Sequence, residues 1–135
     1  MLAQAKKLTL FAAGSATQKY MQGLADQQEV MAALADCIIE VYAMESCILR
    51  AEKLAASKGE SAAKAALAMT QFYGSKAMPS VELSSRKVIA TVAEGDVLRT
   101  QMAILRRLAK HEPADAIMLS RQIAQHVLAA GRYSL

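Results

Sequence analysis

An all-α fold, an antiparallel helical bundle of four to six helices with a long second and a long third helix, is what this sequence predicts. Two observations carry it. Alanine, leucine and methionine number 28, 15 and 8, against 14 valines plus isoleucines and 6 aromatics, an alphabet suited to helices that offers little to strands. Apolar positions also recur at intervals of three and four over long runs. At about 100 to 200 residues per domain, the 135 residues are expected to form a single helical domain, 1–135. With 54% apolar and 21% charged residues the composition excludes disorder.

The first helix is expected from about Ala3 to Gln22, on a stripe of Leu10, Ala13, Thr17, Tyr20, Met21 and Leu24, with Gly23 weakening its end. Asp26 stands three residues before Glu29, a capping-box arrangement that starts a second helix spanning about 27–57. Its stripe is Val30, Leu34, Cys37, Ile38, Val41, Met44 and Ile48. Arg50, Lys53 and Lys58 crowd its last turns, where cations oppose the dipole favourably, and Gly59 is the natural residue just past its end. The third helix, about Ser61 to Ala93, gathers Ala63, Ala66, Thr70, Gly74, Ala77 and Ser84 on one face, which lets another helix approach closely.

Pro79 predicts a kink near Met78 or a break with a new helix starting there, the kink being favoured. After Glu94, Gly95 and Asp96, which either end the third helix or are passed through, Leu98, Met102, Leu105 and Leu108 form a stripe opposite Arg99, Arg106 and Lys110. Pro113 is expected at the first position of a final helix, about Ala114 to Ala130, closed by Gly131.

Several function classes are excluded. The longest charge-free stretches are 11 residues, against about 20 for a membrane-spanning helix. The start of the chain fits a helix better than a secretory leader. Cys37 and Cys47 are ten residues apart on one helix, about 15 Å along its axis, too far for a disulfide; they read as thiols in a reducing compartment. The net charge of +4 is spread over the chain without stacking aromatics, so no nucleic acid partner is expected. Neither histidine has Glu three residues before it, which removes the di-metal motif of helical bundles. Asp36 and Glu40 share a face, yet no histidine, cysteine or second carboxylate pair evidently converges on them. No glycine-rich phosphate loop, nucleophile elbow or Cys-x-x-Cys is present, so neither catalytic nor cofactor-binding residues nor metal ligands are expected in this chain. The basic stripe of Arg99, Arg106, Arg107 and Lys110 is either a solvated face or a docking surface.

The second helix carries Leu34-Ala35-Asp36, then Glu40, then Tyr42-Ala43-Met44, and finally Arg50-Ala51. That pattern resembles the extra C-terminal helical domain that follows the catalytic core in very-long-chain-type acyl-CoA dehydrogenases. Weaker similarity extends through most of the chain; Pro79 and Glu94-Gly95-Asp96 fall outside the pattern. The resemblance implies a non-catalytic packing and oligomerisation domain of a flavoenzyme of fatty acid β-oxidation. FAD would be bound by the parent protein and not by this chain. It implies as partners the chain's own upstream catalytic domain, a second copy in a homodimer, and a membrane surface; the expected location is cytoplasmic, at the periphery of a membrane. Asp36, Glu40, Tyr42 and Arg50 are expected to be structural, with Asp36 bonded to a neighbouring helix and the Tyr42 ring packed. Cut free of its partner, such a domain is expected to expose apolar surface. From a different class, a stand-alone adaptor bundle binding a partner helix or a small apolar ligand fits the same composition.

Overall fold

The structure, a computed structural model, describes residues 1–132. They form α1 (Leu2–Tyr20), a 3-10 turn (Met21–Asp26), α2 (Gln28–Lys58), α3 (Glu60–Val92), α4 (Gly95–Leu108) and α5 (Ala116–Ala130), with no strand among them. The long second and third helices are as expected, at 31 and 33 residues.

Their ends follow local chemistry. Gly59 takes a φ of 86° after α2, a left-handed conformation that other residues adopt only at a cost, as its place past the helix end predicts. Pro79 is exposed and lies inside α3, so the helix continues through it. Lacking an N–H, it cannot bond the Ser75 carbonyl one turn earlier. The break falls instead at Gly95, with a φ of 56° and an extended Glu94 before it, which separates α3 from α4.

Three boundary expectations need correction. The first helix stops at Tyr20 because Met21 turns the chain with φ 50° and ψ −122°, and Met21–Asp26 continue as a 3-10 turn. Asp26 therefore ends that turn and does not cap α2, whose Met31 N–H bonds the Gln27 carbonyl at 2.9 Å. The last helix begins at Ala116, two residues later than expected, because the Asp115 carboxylate accepts the Met118 N–H at 2.9 Å and so outcompetes Pro113 as the start signal.

The described chain divides into two compact units that share α2 and α3: Met1–Tyr42 with Ala77–Glu112, and Ala43–Lys76 with the segment from Pro113 onward. In the first, Ala12 and Ala16 of α1, Val30 and Leu34 of α2, and Val88 and Val92 of α3 form one apolar cluster. Cys37 meets Val81 and Ser85, so α2 and α3 run antiparallel here. Met78, Val81, Ile89 and Leu105 are also buried. The second unit buries Met44, Ala51, Ala63, Ala66, Ala68 and Leu119.

The small-residue face expected on α3 is buried at Ala63, Ala66, Gly74, Ala77 and Ser84. In α1 the expected stripe is half right: Ala13, Tyr20 and Leu24 pack against the core cluster, whereas Leu10, Thr17 and Met21 do not. Ala5, Leu8, Thr9, Ala12, Ser15 and Ala16 are buried, while Leu10 is 72% exposed and Thr17 is exposed. Small side chains admit a neighbouring helix close to the backbone, and that close fit, with Leu8 buried beside them, outweighs the burial of Leu10.

A candidate interaction surface

The first half of α2 has two apolar faces. Val30, Leu34 and Cys37 point into the core of their unit. Met31, Ala35, Ile38 and Tyr42, spaced four, three and four apart, are exposed, with Ile39 beside them. Ile38 was expected inside and is 58% exposed; Tyr42, whose ring was expected to pack, is 72% exposed. Asp36 is exposed as well, which corrects its expected role as a buried structural partner; Arg50 is exposed and Glu40 half-buried. The expected stripe of Val30 to Ile48 mixes the two faces, because Ile38 belongs to the outer one. The signal for a second one was present in the heptad spacing.

On α4, Leu98, Met102, Leu105 and Leu108 turn inward as expected, with Leu105 fully buried. Arg99, Arg106, Arg107 and Lys110 are exposed. Arg99 bonds Asp96 at 2.8 Å, an i, i+3 pair in open solvent that contributes little stability. Beside these cations Val97 and Ile104 are exposed too, so Val97, Thr100, Ile104 and Arg107 line one outward face. The cations stand out in the sequence, whereas the exposure of Val97 and Ile104 beside them emerges only from the packing of the helix.

The chemistry available to the chain itself is limited. Cys37 is buried; its thiol donates to the Val81 carbonyl at 3.7 Å and lies 3.6 Å from the Ser85 hydroxyl. Burial pushes that thiol above its ordinary value, the opposite of what a nucleophile requires. No group of three or more potential metal ligands occurs among the described residues. A cleft of about 500 Å³ between α3 and α5 is lined by Ser61, Lys64, Ala65, Ala68, Gln122, Gln125 and His126. Its lining offers no aromatic wall for a flavin ring and no glycine-rich phosphate loop, so these residues do not fit FAD. No described helix is long and apolar enough to cross a membrane.

Known proteins share these helices. The family model of the acyl-CoA dehydrogenase C-terminal domain matches residues 4–107. A probable acyl-CoA dehydrogenase of Bacillus subtilis (strain 168) is 36% identical over 132 residues, 98% of this chain and 22% of that protein. The crystal structure of an acyl-CoA dehydrogenase complexed with FAD from Bacillus anthracis superposes with a TM-score of 0.95 at 34% identity, over 99% of this chain and 23% of that one. The chain thus spans under a quarter of the length of these relatives, and it belongs to the acyl-CoA dehydrogenase C-terminal domain family.

Proposed function

We propose that this chain is a single non-catalytic module, packing and oligomerising at the C-terminal end of an FAD-dependent acyl-CoA dehydrogenase-like protein of the very-long-chain type that serves fatty acid β-oxidation. One observation carries the proposal: nearly the whole chain matches relatives of which it covers only 22% and 23%. Catalysis and FAD binding then belong to the upstream domain, which is this module's principal partner. A second copy of the chain is the other. The exposed cations of α4 are its candidate contact with a partner or with a membrane surface, from a cytoplasmic location.

The module is expected to purify colourless and to oxidise no acyl-CoA thioester when an electron acceptor is supplied. Stoichiometric flavin absorbance or measurable turnover in the isolated chain overturns the proposal.

A further inference from the structure

The cleft between α3 and α5 lies within the second compact unit, and each helix gives one face to it. On α3, Ser61, Lys64, Ala65 and Ala68 fall on one side of two turns; on α5, Gln122, Gln125 and His126 share a face in the same way. Ala68 is buried and Ala65 half-buried, and their short side chains leave the room that the cleft occupies. Its volume of about 500 Å³ falls within the roughly 300 to 1,000 Å³ of small-molecule sites.

The polar groups above that alanine floor favour one sign of charge. Lys64 supplies a full positive charge and Ser61 a hydroxyl beside it, whereas no aspartate or glutamate lines the cleft. The unit around it carries 7 basic residues against 4 acidic ones, so the wider field favours an anion as well. Across from Lys64, the carboxamides of Gln122 and Gln125 both donate and accept, which suits hydroxyl groups. Ser61, Lys64, Gln122 and Gln125 make no side-chain hydrogen bond or ion pair with another described residue, so all four are available to a ligand. No phenylalanine, tyrosine or tryptophan lines the cleft, which leaves nothing for a nucleobase to stack on.

We infer that this cleft binds a small hydroxylated anion, a carboxylate or a phosphate monoester. Its charged end meets Lys64 and the Ser61 hydroxyl, its hydroxyl groups meet the carboxamides of Gln122 and Gln125, and its carbon chain lies over Ala65 and Ala68. The site is independent of the module role proposed above, which is tested by flavin and turnover, so either can fail without the other.

The test is a nuclear magnetic resonance titration of the isotope-labelled intact chain with glycerol phosphate in one arm and gluconate in the other, neutral glycerol being the control. At least one anion is expected to give saturable shifts at the backbone amides of Ser61, Lys64, Ala65, Ala68, Gln122, Gln125 and His126, and to bind more weakly as salt is raised. A response to glycerol phosphate alone assigns a phosphate ligand, and a response to gluconate alone a carboxylate. Lys64→Gln should weaken binding about fivefold or more by removing the one fixed charge, and Ala65→Leu should abolish it by filling the floor. Circular dichroism confirms that each variant folds; Lys64 is exposed, so its replacement tests the site even where Ala65→Leu does not fold. Lys19→Gln, on exposed α1 surface in the other unit, should leave the affinity unchanged. The inference is overturned if neither anion gives saturable shifts, if glycerol moves the same amides as strongly, if the shifts follow the cations over the whole chain, or if Lys64→Gln binds as the wild type does.

Discussion

The two compact units are built from the same two long helices and differ in what fills them. The unit containing α1 and α4 buries Leu8, Met78, Val81, Val88, Ile89 and Leu105, side chains whose burial contributes about 1.5 to 3 kcal/mol each. The unit containing α5 buries alanines at positions 51, 63, 66 and 68, with Met44 and Leu119 as its larger buried groups. Charge is divided the same way. The first unit carries 9 basic and 8 acidic residues, while the second carries 7 and 4, so most of the excess positive charge is on the unit with the thinner core. Both units bring helices together over buried alanines, Ala5, Ala12 and Ala16 among them in the first, but only the first adds a set of large interdigitated side chains to that close approach.

The largest effect expected from this difference is in the first unit. Ile89→Ala should lower the unfolding free energy by about 2 to 5 kcal/mol, because Ile89 is fully buried and its truncation leaves a cavity in the core. Urea denaturation measures it. A loss smaller than that of Leu119→Ala in the second unit would break the comparison.

A middle-sized effect is expected where packing is close. Ala66→Leu adds bulk to the buried face of α3 and should cost about 1 to 3 kcal/mol, although leucine is nearly as good a helix former as alanine. The same change at exposed Ala62 is the control, with little change expected. If both variants denature alike, the alanine face is not tightly packed and the contrast between the units has to be redrawn.

The smallest effect is a slope with pH. Burial raises the Cys37 thiol above its ordinary value of 9.0, with the Asp36 charge adding to the rise and the Ser85 bond opposing it. The folded chain thus keeps a proton that the unfolded chain releases. The resulting contribution to stability is complete below pH 9.0 and is lost as pH rises from there through the raised value. Melting temperatures followed upward from pH 9.0 should fall more steeply for the wild type than for Cys37→Ala. Parallel curves would show that the thiol titrates alike in both states.

Residue chemistry by itself determined the all-α class, the long second and third helices, the inward stripe of α4, the solvated cations beside it and the small-residue face of α3. Each is a local or periodic property: alanine's helix propensity, a glycine able to take positive φ after α2, a spacing of three and four. The motif of Leu34-Ala35-Asp36, Glu40, Tyr42 and Arg50 was also legible and pointed to the right family. Tertiary structure decided which of two plausible faces each helix buries. In α1 the side of Ala5, Leu8, Ala12 and Ala16 took the core and Leu10 stayed outside, and in α2 the Val30 side took the core while the Ile38 and Tyr42 side stayed outside. The pattern along one helix cannot settle such a choice, because burial is decided by how closely the neighbouring helices fit, and that depends on side chains far away in the sequence.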